Sequence, residues 1–116
     1  MIHMQKKNKM NSKPKWNRVH EFKRKKSNKK GVGHPTLVYG KSKRSYKYLL
    51  FTHTVPEGQE ENFELLKHNI DPAEDGVRPS YMKKQYEINR KDAFESPDKK
   101  YRIHDDDKET VKQYKK

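Results

Sequence analysis

Twelve Lys or Arg residues and a single acid, Glu21, occupy the first 30 positions of the 116-residue chain. A segment charged in this way resists collapse, because like charges repel and too little apolar surface offsets the entropy of ordering. The other 86 residues hold 17 bases and 15 acids, so the formal net charge of +13 resides almost wholly in the N-terminal quarter. Residues 1–33 are therefore expected to form a flexible basic arm, disordered when free, ahead of a small folded body over residues 34–116. Within the arm Trp16, Val19 and Phe22 recur at three-residue spacing and can line one helical turn on binding. Removing the arm is expected to leave thermal stability nearly unchanged.

The body has one evident nucleus. His34-Pro35-Thr36-Leu37-Val38-Tyr39 is a β-prone run, Gly40 to Arg44 a turn, and Ser45 to Thr54 a longer strand. Two such runs around a Gly-containing loop read as a hairpin. Side chains alternate along a strand, so Tyr46, Tyr48, Leu50 and Thr52 share one face and Leu49 and Phe51 take the other. Apolar residues on both faces predict a central strand covered on each side. Beyond it, Val55–Gln59 is a loop, Asn62–Lys67 a strand or a single helical turn, and Asp71–Gly76 a loop. Tyr81–Ile88 reads as extended, Ser96-Pro97-Asp98 as a break, and Tyr101–Ile103 as a short edge strand. Asp105–Tyr114 is expected to be a terminal helix, with acids at its start and Lys115 and Lys116 at its end suiting the macrodipole. Val111 and Tyr114 would dock that helix on the body. Together these elements predict a small α+β domain, a curled β-sheet or partly open barrel with a C-terminal helix. Hydrophobic residues make up only 28% of the chain, so its core must be thin.

Composition excludes several chemistries. The chain has no Cys, hence neither a disulfide framework nor a thiolate metal site. No apolar run approaches the ~20 residues of a membrane span, and a soluble, cytoplasmic protein with no membrane partner is expected. No two of the six His stand three or four residues apart. His104 precedes Asp105-Asp106-Asp107, where carboxylates at a helix start are expected to cap backbone N–H groups, so no metal and no cofactor is anticipated. Gly31-Val32-Gly33 lacks the remainder of any nucleotide-binding fingerprint.

The excess of cations points to a polyanion, since each phosphate neutralised releases counterions. The expected nucleic-acid contacts are Lys6, Lys7, Lys13, Lys15, Arg18, Lys23, Arg24, Lys25, Lys26, Lys29 and Lys30 from the arm. Lys41, Lys43 and Arg44 of the hairpin turn, and Arg78, would extend the track onto the body. Tyr39, Tyr46, Tyr48 or Tyr81 would stack on unpaired bases, which favours RNA somewhat over DNA. The partner can equally be a ribonucleoprotein such as the ribosome, or a nucleic-acid-binding protein whose channel the chain occupies as a small phage- or plasmid-encoded inhibitor. A second class of function is a nuclease. Cleaving RNA without metal requires a base, an acid and cations on the phosphate. His53, His34 and Thr52, with Lys67 or Arg78, can supply them at the end of the hairpin.

The stretch from His34 to Thr54 also resembles the first hairpin of the PemK/MazF-like toxin endoribonucleases, including the ToxN type. Pro35-Thr36-Leu37-Val38 matches their opening "PVLV" strand, and Leu50-Phe51-Thr52-His53 the end of their second strand. The resemblance implies a small SH3-like barrel with Thr52 as the hydroxyl residue near the scissile phosphate. It also places His53 where the family carries Ser, and Lys29 or Lys30 in place of an early base. More loosely, the hairpin together with Arg78-Pro79-Ser80-Tyr81 is similar to small basic proteins of bacterial mobile elements.

Overall fold

The computed structural model describes residues 15–18, 20–27 and 33–116. The hairpin organises it. Strand β3, Pro35–Lys41, pairs antiparallel with β4, Ser45–Thr52, with Leu37 opposite Leu49 and Val38 opposite Tyr48. A bulge between Val38 and Gly40 shifts the register once, the kind of kink that curls a sheet. Both faces of β4 are covered, as its two-sided apolar pattern requires: Tyr48 and Leu49 are each fully buried.

A basic strand lies on the other side of β3. Strand β2, Glu21–Lys25, pairs antiparallel with β3 and, on its far edge, with β8, Phe94–Pro97. Phe22 of this strand is 2% exposed and packs on Phe51 and Tyr101 at ring separations of 5.6 and 5.7 Å. The expected boundary after residue 33 therefore falls inside the sheet, and residues 20–27 belong to the body. Trp16 and Asn17 form a further short strand, β1, paired with β9, Ile103–His104. Trp16 and Phe22 are thus extended rather than helical. Val19, and the rest of the basic segment at 1–14 and 28–32, lie outside the described residues.

Charge does not prevent β2 from being central, because its alternation sorts the side chains. Arg24 is satisfied by Asp98 at 3.2 Å, by the Gly33 carbonyl and by the Tyr101 hydroxyl, over whose ring it also lies. Lys23 and Lys25 turn to the opposite face, with their ammonium groups 5.4 Å from the Tyr46 ring and 5.5 Å from the Tyr48 ring. Long aliphatic stems cover apolar surface while the cation meets the negative face of an aromatic ring. Where the chain turns from β2 into β3, Gly33 approaches the Lys25 carbonyl so closely that a Cβ there would lie 1.7 Å from its oxygen. No residue but glycine fits.

Strand β4 is long enough to pair with two partners along its outer edge: β6, Tyr81–Lys83, at its end and β7, Glu87–Arg90, at its start. The expected strand over 81–88 therefore splits in two at Lys84–Tyr86. β6 in turn carries β5, Phe63–Leu65, at the edge of the sheet; a 3-10 turn at Glu60–Asn62 precedes it. Strands β2, β3, β4 and β7 thus form a meander. A 3-10 turn at Lys91–Ala93 then brings β8 back to β2. The result is a curled, partly open barrel, with no ladder between β7 and β8 among the described residues. β8 continues through the expected break at Ser96-Pro97 because it is an edge strand, where proline's missing N–H costs no ladder bond. Val38, Tyr48 and Phe94 form the small interior of the barrel. Its outer face, built on Phe22, Leu37, Leu49 and Phe51, is covered by Leu66, Ile70, Met82, Tyr101, Ile103 and Val111. Val111 belongs to helix α1, Lys108–Tyr114, which follows a 3-10 turn over Asp105–Asp107. Val111 and Tyr114 both pack on that core, as expected.

Truncating a buried Phe removes its transfer energy and leaves a cavity, typically costing about 3–5 kcal/mol. In a thin core that is a large share of the total. Phe22→Ala is expected to unfold most of the protein at 37 °C, measured by thermal melting in circular dichroism.

Candidate nucleic-acid interface

The hairpin tip and the strand that crosses it make one basic groove. The bulge at Tyr39-Gly40 opens the end of β3, and Arg18, His20, Tyr39, Lys41 and Tyr46 line a cleft of 430 Å³ there, with Glu21 the acid among them. His20 and Tyr39 face one another with ring centroids 6.4 Å apart. The C-terminal end of the chain reaches the same place: the Lys116 amide donates to the Tyr39 hydroxyl at 3.2 Å. Burial and the nearby Lys115 hold the His20 imidazole below its ordinary pKa, and burial raises that of Tyr39. Lys115 is itself depressed by burial and by Lys112. Cations and aromatic rings thus share the lining of the cleft with one acid. Lys47 extends it, with its ammonium 4.1 Å from the Tyr86 ring and 5.8 Å from that of Tyr39.

The cations expected from sequence to bind phosphate fall into distinct groups. Lys41, Lys43 and Arg44 stand exposed at the hairpin tip, and Lys15 and Lys26 are exposed elsewhere on the basic segment. Arg18 is exposed too, and donates to the Lys99 carbonyl at 3.0 Å. Arg24, Lys23 and Lys25 are instead consumed by the fold, through the contacts described above; Lys23 also lies 3.7 Å from Glu21. Lys6, Lys7, Lys13, Lys29 and Lys30 lie outside the described residues. Of the candidate stacking residues, Tyr39 and Tyr46 line the groove. Tyr48 is buried, with its hydroxyl donating to Glu87 at 3.2 Å.

A second groove opens at the other end of β4. His53, Thr54, Glu60, Phe63, Arg78 and Tyr81 line a cavity of 680 Å³. His53 and Arg78, proposed together from sequence, are brought to one place; Lys67 is not among the residues lining it. The His53 Nδ1 atom is buried and has no hydrogen-bond partner. Burial and the Arg78 guanidinium lower the pKa of this imidazole, which keeps it neutral and able to accept a proton. Arg78 is only loosely paired, 3.7 Å from Glu74. Thr52 does not join this group: it is buried, and its hydroxyl donates to the Thr54 carbonyl at 2.6 Å. His34 is exposed at the head of β3. Continuing the ladder that pairs Thr36 with Leu50 sets it across from Thr52.

One cluster joins His104 and Asp106, neighbours in sequence, to His68 and Asp75, which the sequence left apart. His68 and His104 stack face to face with centroids 3.6 Å apart, and the edge of Trp16 meets both rings. Asp75 and Asp106 hold the two nitrogens of His68 at 3.0 and 2.9 Å. These carboxylates raise the pKa of His68, and its imidazole lowers theirs. The aspartates of the 105–107 run are expected to cap the helix; Asp107, at its N-cap, makes no side-chain capping bond, and His104 caps the 3-10 turn, its Nδ1 accepting the Asp106 amide at 3.0 Å. Asp107 instead accepts the amides of Lys67 and His68 at 2.9 and 3.0 Å. Spacing rules see neighbours along a helix, whereas this pair is made by the fold. Among the described residues no helix is long and apolar enough to cross a membrane. No family model, curated protein or solved structure matches this chain.

Proposed function

We propose that this protein binds single-stranded nucleic acid, RNA in preference, along the groove at the hairpin tip. The observation that carries the reading is the convergence of Arg18, His20, Tyr39, Lys41 and Tyr46 in one cleft beside the exposed Lys41, Lys43 and Arg44. Cations flanking a cleft with aromatic walls suit a strand whose phosphates run outside and whose bases turn in. The cleft is too small for a duplex and offers no helix to a major groove, so unpaired bases are the natural guests. Affinity would come from charge, and discrimination from whatever base edges reach Arg18 and His20.

Salt dependence tests this directly. Each phosphate contact on a single strand contributes about 0.7 to the slope of log affinity against log salt. Replacing Lys41, Lys43 and Arg44 by Ala should lower that slope by about two, from roughly 0.7 for each of three contacts. Tyr39→Leu should weaken binding while leaving the slope alone. An unchanged slope in the triple variant, measured by fluorescence anisotropy with an oligonucleotide, would remove the hairpin tip from the interface.

The second groove supports a second reading, metal-independent cleavage of RNA. It rests on His53, whose pKa burial and Arg78 lower, and on Arg78 lining the same cavity. In that reading His53 takes the proton of a 2′-hydroxyl, whose oxygen attacks phosphorus and expels the 5′ oxygen, which takes a proton from water. Arg78 balances charge on the phosphorane, and the products are a 2′,3′-cyclic phosphate and a 5′-hydroxyl. A base with a depressed pKa stays neutral below its ordinary 6.5. Cleavage in EDTA should therefore hold near its plateau at pH 6.5, decline only in more acidic buffer, and vanish in His53→Ala. Intact RNA after prolonged incubation at neutral pH would refute this reading and leave the binding reading standing.

A further inference from the structure

We propose that His68, His104 and Asp106 form a binding site for a divalent transition-metal ion of the zinc class, independent of either groove. One donor atom from each of the three lies within 4.8 Å of the other two. Asp106 Oδ2 is 2.9 Å from His68 Nε2 and 3.6 Å from His104 Nδ1. Bonds of 2.0–2.2 Å in a tetrahedral site set neighbouring ligand atoms roughly 3.4 Å apart. The observed separations straddle that spacing, so small side-chain rotations seat an ion.

The surroundings are those of a metal ligand held in place. A ligating histidine commonly gives its other ring N–H to a carboxylate, which fixes the tautomer and aims the free nitrogen. His68 has that arrangement: Asp75 binds its Nδ1 at 3.0 Å, which leaves Nε2 directed at Asp106. Asp75 is itself fixed by the Asn69 amide at 3.0 Å, and Asp107 fixes the backbone of Lys67 and His68. Trp16, edge-on to both imidazoles, walls the site from the side of β1.

Binding asks for three changes, the first being loss to solvent of the proton that His68 Nε2 shares with the Asp106 carboxylate. The His104 lone pair that now accepts the Asp106 amide must turn to the ion, and the two stacked rings must splay. The side chain of Asp106 is half exposed, so water can take over the released amide. Two imidazoles and one carboxylate favour zinc, cobalt or nickel over magnesium or calcium, which prefer oxygen donors throughout. The fourth position is left for water. Because its ligands come from the segment at His68, from β9 and from the 3-10 turn that follows it, an ion there would staple that segment to the C-terminal end of the fold.

The test is titration of the full chain, in metal-free buffer, with Co²⁺ followed by visible absorption and with Zn²⁺ followed by melting temperature. One equivalent of Co²⁺ should give the intense d–d bands of a tetrahedral site. Zn²⁺ should displace it and raise Tm by several degrees, and Mg²⁺ should do neither. Asp106→Asn and His68→Gln should each weaken Co²⁺ binding at least tenfold. Should either variant lose its fold, imidazole ¹⁵N spectra of the unaltered chain decide, because Zn²⁺ must shift two of the six His, assigned as His68 and His104. Absence of saturable Co²⁺ binding, undiminished binding in folded variants, or shifts at other histidines would overturn the proposal.

Discussion

The rest of the structure depends on β2, a strand that carries three cations in five residues and still sits between two neighbours in the sheet. Without it β3 would have a bare edge and β8 no partner, and the meander could not curl into a barrel. Two physical arrangements make it possible. Phe22 delivers one large ring to the outer core, and the alternating cations are each given a specific counterpart: a carboxylate, a carbonyl and a hydroxyl for Arg24, aromatic faces for Lys23 and Lys25. A strand so charged is tolerated because no ammonium or guanidinium is left desolvated and alone. Gly33 then allows the chain to reverse against the Lys25 carbonyl and enter the hairpin.

This division of labour bears on function. A chain with a large positive excess invites the assumption that every cation is there for a polyanion. In the folded protein some cations are internal ties and others stand exposed over the surface, among them Lys41, Lys43 and Arg44 at the hairpin tip. Tyr39 and Tyr46 stand among these free cations, while the buried Tyr48 helps hold the barrel together. The interface proposed here is therefore a restricted patch, shaped by the bulge in β3, and any basic residues that join it from outside the described segments would add affinity to an already defined groove.

How much of this was legible in the sequence follows from where the signals were local. The β3–β4 hairpin was readable because Tyr48, Leu49, Leu50 and Phe51 demand cover on both faces, and the terminal helix because its charges are ordered from end to end. The exposed tip followed from the same hairpin, whereas the choice between Lys67 and Arg78 as neighbour of His53 did not, because both come from loops beyond it. β2 was not readable, since one Phe among Lys and Arg gives no apolar alternation and its stabilising partners, Asp98 and Tyr101, come from the far end of the chain. β8 was masked by Ser96-Pro97, a breaker everywhere except at a sheet edge. The catalytic role considered for Thr52 took no account of a local bond: its hydroxyl is spent two residues away. The His68–His104 stack is a tertiary product, and no spacing rule could have announced it.

The central claim is that the basic strand is part of the folded body. Native-state hydrogen exchange on the full chain tests it most directly, because exchange reports the free energy of opening residue by residue. The account expects the amides of Phe22 to Lys25 to be protected to the same degree as those of Leu37 and Leu49, opening only with the whole domain. Exchange of Phe22 to Lys25 at the rate of an unstructured peptide, while Leu37 and Leu49 stay protected, would contradict it.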